Sequence, residues 1–310
     1  MEKQIPPAQN RWKAVAIGAA IAGALTLPAV ADSWLNGPTR NFQAHSVRIH
    51  DLVGNLAVAV KNAGPITVQV SGAKDRVDAT QVYQDDGDVT VDGGRGYSVW
   101  DWRHWFDFSD ETHRRDSLRV AIVVPRGTSV NVDDLVGDAR IGDTMAPLRF
   151  GAVATNSTIG KVSEARISLA GSGKIVVGDI AGELNADSAG SGAIEAGNAK
   201  SVHASLAGAG GLKVGQINGE LHLDIAGSGD FAAARVNGPV QADVVGSGSV
   251  RIASGEANPL KVSIAGSGDF DFGGTAVDPS ISAIGSGNVR LHAYRGNLSN
   301  SGMATVHIGD

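Results

Sequence analysis

The sequence predicts an all-β fold, a parallel β-helix (solenoid) with coils of about 19 residues and a less regular β region in the N-terminal half. The first observation is a small-residue corner, Gly-Ser-Gly or Gly-Ala-Gly, that recurs every 18 to 20 residues. The first glycines of these corners are Gly171, Gly190, Gly208, Gly227, Gly246, Gly266 and Gly285. A repeat of this length is typical of a solenoid, in which each coil stacks on its neighbours.

The second observation is the alternation of apolar residues on both sides of each corner. Around Gly227 these residues are Leu223 and Ile225 before the glycine, and Phe231 and Ala233 after it. The other coils hold apolar or small residues at the same four offsets. Because alternate side chains of a strand share one face, we expect these columns to point inward and to stack from coil to coil.

A second glycine follows seven residues after the first corner glycine in several coils. These second glycines are Gly178, Gly197, Gly215 and Gly273. We expect another corner at each of them, which needs either a left-handed backbone or a close approach between chain segments. Each coil would then contain two or three short strands that pair with the equivalent strands of the next coil.

The composition agrees with this fold and narrows the classes of function. The chain has 310 residues, with 42 glycines, 5% aromatic residues and no cysteine. Many short strands joined by tight corners use glycine in this way. The absence of cysteine excludes a disulfide scaffold, thiolate metal sites and a cysteine nucleophile.

Residues 1–31 have the three parts of a secretory signal peptide. Basic residues precede an apolar run over residues 14–27, and a small-residue A-x-A site ends at Ala31. We therefore expect cleavage between Ala31 and Asp32. The alternative is a membrane anchor, but a run of about 14 residues, half of them Ala or Gly, is short for a membrane span.

The charge that remains after cleavage restricts the partners. Removing residues 1–31 takes away three basic residues and one acidic residue, which leaves 23 Lys and Arg against 31 Asp and Glu, a net charge of −8. No basic block remains, so nucleic acid is not an expected partner. No integral membrane span is expected after cleavage. The expected location is the periplasm or cell envelope, or the exterior if the protein is secreted.

The sequence predicts five segments along the chain. They are the signal peptide (1–31), a loose lead-in (32–44), an irregular β region or first coils (45–145), the regular coils (146–293) and a C-terminal cap (294–310). Strands are predicted in the irregular region at Ser46–Ile49, Asn55–Val60, Pro65–Val70, Val77–Tyr83, Asp88–Asp92 and Leu118–Val124. No amphipathic helix is predicted. Some cap is required, because an open coil end exposes apolar residues and unpaired strand edges.

An aromatic insertion at 96–116 differs from the repeat. It contains Trp100, Trp102 and Trp105, three of the five tryptophans of the chain, together with His104. One interpretation is a hairpin or loop that lays its aromatic rings over an open coil end. The other is a platform for sugar rings or a partner protein, because exposed aromatic residues mark interaction sites. These four residues are the candidate ligand-binding residues.

Two histidines at outward positions are expected to stack one coil apart. His203 and His222 would lie near Asp224 and Asp243, and imidazole with carboxylate is a set that can bind a metal ion. A solvated polar ladder on an exposed sheet explains the same residues, so no metal site and no cofactor are predicted. No calcium-binding nonapeptide repeat, phosphate loop or hydrolase motif is present. The spacing of the carboxylates does not single out a catalytic acid and base.

The repeated phrase also resembles a known family. The sequences that carry the resemblance are the corners with their alternating apolar residues, the strand Leu118–Val124 that ends in Val-Pro-Arg-Gly-Thr, and the segment Val130-Asn-Val-Asp-Asp-Leu-Val-Gly-Asp. They are similar to exported bacterial proteins of the auto-transporter adhesin, head GIN domain family, over a region from Val47 to Arg290. The resemblance implies an exported β-helical protein associated with adhesion, with no catalytic residues to carry over.

The sequence thus favours an exported, non-enzymatic β-solenoid that acts as an adhesin-like or structural protein of the cell envelope. Its expected partner is an envelope glycan or a surface protein. The alternative is a carbohydrate-active enzyme, a polysaccharide lyase or hydrolase, because such enzymes also use β-helices. The sequence makes no prediction about the oligomeric state.

Overall fold

The structure, a computed structural model, describes residues 39–94, 118–302 and 305–309. Nearly all of it is β-structure, arranged as a β-solenoid of about nine turns, which confirms the predicted fold class. Two sets of predicted residues lie outside the described ranges: the cleavage site (Ala31 and Asp32) and the aromatic candidates (Trp100, Trp102, His104 and Trp105).

The strands fall into an irregular N-terminal group and a regular series. The first group consists of β1 (Arg40–Phe42), β2 (Ser46–His50), β3 (Gly54–Lys61), β4 (Ile66–Ser71), helix α1 (Lys74–Ala79), β5 (Gln81–Asp85), β6 (Asp88–Asp92) and β7 (Leu118–Pro125). The regular series consists of β8 (Ser129–Val136), β9 (Ala139–Ile141), β10 (Leu148–Ile159), β11 (Ala165–Val177), β12 (Glu183–Gly190), β13 (Ala193–Ala196), β14 (Ser201–Gly208), β15 (Gly211–Ile217), β16 (Leu221–Gly227), β17 (Asp230–Gly246), β18 (Ser249–Ile252), β19 (Gly255–Gly266), β20 (Asp269–Val277), β21 (Ser280–Gly285), β22 (Asn288–Arg295), β23 (Ser299–Gly302) and β24 (Thr305–Ile308).

Each regular coil has two main faces. On the first face, the strand that leads into the corner glycine pairs in parallel with the same strand of the next coil, as in the series β12, β14 and β16. On the second face, the strand that follows the corner pairs in the same way, as in the series β13, β15 and the first half of β17. A third, shorter side is closed by bridges such as Val162 with Ile180 and Ala199 with Ile217.

The predicted inward columns form a continuous apolar core. One column on the second face consists of Ile175, Ile194, Leu212, Phe231, Val250, Phe270 and Val289, and each side chain is at most 2% exposed. Each member is the register partner of the equivalent residue one coil away. Because a single coil cannot bury such a column alone, every coil depends on its neighbours for stability.

The first corner glycines form a second continuous column. The seven glycines are register partners from coil to coil, and their φ angles lie between 112° and 131°, a region that side-chain-bearing residues rarely adopt. From Gly190 to Gly285, an added Cβ would lie less than 3.0 Å from the carbonyl oxygen of the corner glycine in the preceding coil. The next amide donates to that same oxygen, as Ser228 N does to Gly208 O at 2.8 Å.

In the coils that have a second glycine, close approach between chain segments requires it. Gly178, Gly197, Gly215 and Gly273 are not among the glycines with positive φ. An added Cβ at each of them would nevertheless lie 3.0 Å or less from an atom of the preceding coil. Of the two alternatives that the sequence leaves open, close approach is therefore the correct one.

The N-terminal region belongs to the same rod and also caps it. β2 pairs in parallel with both β6 and β8, and β3 pairs in parallel with both β7 and β9. β6 and β7 therefore form the end coil in space, although β2 and β3 precede them in sequence. Beyond this coil, β4 and β5 pair antiparallel with β7 and β6, and β1 pairs antiparallel with β4. The antiparallel strands cover the edges of the end coil. β1 falls inside residues 32–44, the expected lead-in.

One predicted strand was wrong in its first half. The sequence predicts a strand over Val77–Tyr83, whereas the structure has helix α1 up to Ala79 and a strand only from Gln81. Lys74 Nζ lies 2.6 Å from Asp78 Oδ2, one helical turn away, which is a local pair that supports the helix. In the part of the chain that the structure describes, no helix has the length and hydrophobicity needed to cross a membrane.

The C-terminal segment continues the coil pattern as far as it is described. β23 pairs in parallel with β21, and β24 pairs in parallel with β22. Leu298 and Val306 pack against the core from this last coil. The described residues of the expected cap (294–310) therefore form one more coil that stacks on the preceding one.

Changing Gly227 to alanine is expected to destabilise the rod by about 3 kcal/mol, because a Cβ is strained at positive φ and meets the carbonyl of Gly208. Urea unfolding followed by circular dichroism measures the loss. Gly211→Ala is the matched control, since the nearest atom to its added Cβ is Asp230 O at 3.5 Å, an ordinary contact. Equal losses in the two variants would contradict the prediction.

Changing Ser188 to alanine is expected to stabilise the protein. This serine occupies an inward position and is 3% exposed, and its hydroxyl has no hydrogen-bond partner among the described residues. Removing a buried, unsatisfied hydroxyl should raise the free energy of unfolding by about 1 kcal/mol. The control is Ser205→Ala, an exposed position on the first face that should change stability little. A lower unfolding midpoint for Ser188→Ala would refute this assignment.

Candidate functional site

The outward positions of the first face carry a ladder of polar side chains. Five residues before successive corner glycines stand Arg166, Asn185, His203, His222, Gln241 and Lys261, and three residues before them stand Ser168, Asp187, Ser205, Asp224, Asp243 and Ser263. All of these side chains are exposed or half-buried, as the predicted alternation requires. The first face therefore presents polar groups in register along the rod.

The two histidines of this ladder stack as predicted. The ring centroids of His203 and His222 are 6.0 Å apart, and the rings are tilted by 35°. His222 Nε2 lies 3.3 Å from Asp224 Oδ2, whereas Asp243 accepts a hydrogen bond from Gln241 at 3.0 Å. Within the described residues, the ladder does not bring three metal-ligand atoms together. The ladder presents imidazole, carboxylate and amide groups to solvent in register along the rod.

A second set of polar side chains lies at the turn that follows the second-face strands, and we call it the turn ladder. Asp143 Oδ1 accepts the backbone amide of Lys161 in the next coil at 2.8 Å. In the same way, Asp179 Oδ1 accepts the amide of Asn198 at 3.1 Å, and Asn198 Oδ1 accepts the amide of Gln216 at 2.9 Å. Each of these side-chain oxygens therefore links one coil to the next by a hydrogen bond.

The turn ladder explains why glycine stands directly before Asn198 and Gln216. An added Cβ at Gly197 would lie 2.8 Å from Asp179 Oδ1, and one at Gly215 would lie 2.7 Å from Asn198 Oδ1. The acceptor oxygen of one coil therefore occupies the space that a side chain would need in the next. The glycine and the acceptor below it form one structural unit, which sequence inspection did not connect.

A groove of about 440 Å³ runs along this turn. Its polar lining comes from Lys161, Asp179, Asn198, Lys200 and Asn218, and its apolar lining includes Met145 and Ala181. Lys161 Nζ pairs with Asp179 Oδ2 at 3.1 Å. Lys200 is exposed and forms no ion pair within the described residues. The groove therefore combines an available ammonium group with amides and apolar walls, which is a common combination in binding sites.

The carboxylate of the groove is held in its charged form. The backbone amide of Asn198 donates to Asp179, and together with the Lys161 ammonium it lowers the pKa of Asp179 below its ordinary value. Donated hydrogen bonds and a nearby cation both favour the ionised carboxyl. Asp179 is therefore negatively charged in the groove, and its carboxylate is already paired with the Lys161 ammonium and the Asn198 amide.

Directly before the corner glycines, the first face carries a narrow apolar stripe. Its members are Ala170, Ala189, Ala207, Ala226, Val245, Ala265 and Ile284, all exposed and all register partners. Ile284 is 72% exposed, the most of the exposed large apolar side chains in the described ranges. The stripe is flat apolar surface beside the polar ladder.

Sequence inspection missed one cluster near the N-terminal end of the rod. His50, Asp51 and Asp92 place a potential metal-ligand atom each within 4.8 Å of one another. His50 and Asp92 are register partners on β2 and β6, although they lie far apart in sequence. Only the parallel pairing of those two strands reveals this proximity.

Comparison with protein families confirms the resemblance for the C-terminal part of the rod. Residues 215–307 match the sequence profile of the family described as "Putative auto-transporter adhesin, head GIN domain". A search of the curated proteins gives no match. The matched region begins in β15 and includes the last four Gly-Ser-Gly corners.

Several solved structures are similar to this chain. A "putative adhesin" from Parabacteroides distasonis is 17% identical, with 88% of this chain and 96% of that chain covered and a TM-score of 0.47. A "putative lipid binding protein" from the same species is 16% identical, with coverage of 89% and 97% and a TM-score of 0.42. A "putative adhesin" from Bacteroides fragilis is 17% identical, with coverage of 87% and 96% and a TM-score of 0.33. At these identities, function has to be inferred from the residues of this chain.

Replacing Asp179 with alanine is expected to cost about 1 kcal/mol at neutral pH, the usual net value of a hydrogen bond. Because the folded pKa of Asp179 is lowered, its charge contributes stability above the unfolded pKa of about 4, and this contribution is lost as the pH falls through the folded value. Asp179→Asn should lose less, since an amide oxygen fills the same role at Asn198. Urea unfolding at pH 7 and at about pH 2.5 measures both variants; a pH-independent deficit in Asp179→Ala would contradict the assignment.

Proposed function

We propose that this chain is an exported, non-enzymatic, adhesin-like binding protein of the cell envelope, located in the periplasm or at the surface. Its proposed partner is an envelope glycan or a surface protein that lies along the rod. The observation that carries this proposal is the groove along the turn ladder, where charged, amide and apolar groups converge. The family match of residues 215–307 supports the same class of function.

The charges in the groove favour an acidic glycan. Among the residues that line the groove, Lys161 and Lys200 are positively charged and Asp179 is negatively charged. Asp179 is occupied by Lys161 and by the amide of Asn198, which leaves Lys200 for a ligand. An ammonium group pairs with a carboxylate or phosphate, and the exposed amide of Asn218 can bond to sugar hydroxyls.

Trp100, Trp102, His104 and Trp105 are proposed as a second contact with the partner. Tryptophan supplies a large apolar surface with a polar N–H, which suits the face of a sugar ring. Residues of this type dominate the binding energy of many interfaces. This contact would add to the affinity of the groove.

The lowered pKa of Asp179 argues against its acting as a general acid in the groove. A general acid that works near neutral pH needs a raised pKa, so that it carries a proton to give. Asp179 is shifted in the opposite direction and is already paired with Lys161. We therefore assign it a structural role.

A glycan array that holds acidic and neutral bacterial envelope polysaccharides tests the proposed function. We expect the full chain to bind acidic glycans, and Lys200→Glu to weaken that binding by at least about tenfold, since each lost tenfold equals 1.4 kcal/mol. Lys261→Glu is the matched control, because Lys261 is an exposed lysine on the first face, away from the groove. A triple variant, Trp100→Ala with Trp102→Ala and Trp105→Ala, tests the aromatic contact separately.

Each outcome of this experiment has a defined meaning. Loss of binding in Lys200→Glu but not in Lys261→Glu supports the groove. Equal losses in both lysine variants would show a non-specific charge effect and would reject it. Loss only in the tryptophan variant, with an unchanged circular dichroism spectrum, would move the site to the aromatic insertion. Release of shortened saccharide from any bound polysaccharide would replace the binding function with the enzymatic alternative.

A further inference from the structure

The cluster of His50, Asp51 and Asp92 lies where β2 meets the end coil. His50 Nδ1 is 3.3 Å from Asp51 Oδ2 and 3.8 Å from Asp92 Oδ1. The three side chains are half-buried, with 29%, 37% and 26% of their surface exposed. One nitrogen and two carboxylates thus converge on a small volume that solvent can reach.

The distances in the cluster suit a small divalent ion. Ligand atoms that lie about 2.0–2.2 Å from a tetrahedral ion are separated by roughly 3.3–3.6 Å. The two distances from His50 Nδ1 lie close to this range. With three protein ligands, the fourth position of a tetrahedral ion would be left for a water molecule. Imidazole with carboxylate suits zinc and its first-row neighbours, whereas calcium prefers six to eight oxygen ligands.

The carboxylate of Asp92 is oriented from outside the cluster. The backbone amide of Gly94 donates to Asp92 Oδ1 at 2.9 Å, which fixes the side chain and leaves further lone pairs free. Such outer hydrogen bonds commonly position the ligands of a metal site. The backbone of Asp51 adopts a left-handed conformation, with φ of 55°.

The neighbouring coil shows that the fold does not require a histidine at position 50. The sequence Asp-Leu-Val-Gly occurs at 51–54 and again at 134–137, and Asp51 and Asp134 both have left-handed φ angles of 55° and 58°. His50 and Asp133 are register partners directly before these two corners. The same corner therefore forms with a carboxylate in place of the imidazole, so corner formation does not explain His50.

The charges around the cluster favour a cation. Asp133, the partner of His50 in the next coil, is neutralised by Arg149 at 3.1 Å. Among the ion pairs of the described residues, Asp51 and Asp92 pair only with His50. A divalent ion would balance the two carboxylates.

We propose that His50, Asp51 and Asp92 form a binding site for one divalent first-row transition-metal ion, for which Zn²⁺ is the probe. The ion joins β2 to β6, so it fastens the end coil to the coil beside it. Because the site exists only when these strands are paired, metal binding stabilises the folded end of the rod. This site is independent of the groove and of the proposed adhesin-like function.

Isothermal titration calorimetry of the full chain without a histidine tag, titrated with ZnCl₂, tests the proposal. We expect one bound ion per chain, with affinity lowered at least about tenfold in each of His50→Asn, Asp51→Asn and Asp92→Asn. Asparagine tolerates the left-handed conformation at position 51 and can still accept the Gly94 amide at position 92. Zinc should also raise the thermal unfolding midpoint of the unmodified chain but not that of Asp92→Asn.

His203→Asn and His222→Asn are the matched controls, since these half-buried histidines stack on the first face and do not belong to the cluster. Unchanged zinc binding in both controls, together with the loss in the three cluster variants, supports the site. Absence of zinc binding by the unmodified chain would overturn it, as would unchanged binding in the cluster variants or a loss in the controls. Circular dichroism establishes that each variant folds, and if His50→Asn does not fold, the two aspartate variants decide.

Discussion

The close stacking of backbone at the first corners is the constraint on which the rest of the structure depends. A carbonyl oxygen of one corner glycine lies where a side chain of the next corner glycine would be, and it accepts the adjacent amide of the next coil. Only glycine allows this approach at φ angles near 120°. The corner therefore fixes the register between coils at one position. Strands on both sides then pair in that register, and the apolar columns stack as a consequence.

The second turn applies the same principle with a side chain. There the oxygen of an aspartate or asparagine, rather than a backbone carbonyl, fills the space above a glycine and accepts the next amide. This solution leaves charged and amide groups at the surface of the turn, while the first corner presents only small residues. The difference explains why the groove lies along the turn ladder. Its polar groups are the residues that hold the coils together and those directly beside them.

The regular coils could be predicted from the sequence because their information is local and repeated. The spacing of Gly227 and its equivalents, with alternation such as Leu223 and Ile225, determines which side chains point inward. The N-terminal end could not be predicted in the same way. The placement of β2 between β6 and β8 depends on pairing over long sequence separations, which leaves no local pattern. The cluster of His50 and Asp92 is hidden for the same reason. Helix α1 was missed because it has only six residues and buries none of them, so it leaves no apolar pattern with helical spacing.

Residue-resolved hydrogen exchange at the first corners is the most direct test of the constraint. Ser191, Ser228, Ser247, Ser267 and Ser286 each donate their amide to the corner glycine carbonyl of the preceding coil. We predict that these amides exchange as slowly as the amides of the adjacent first-face strands, because both open only when coils separate. Exchange at the rate of exposed loops would contradict the claim that the corners hold the coils in register.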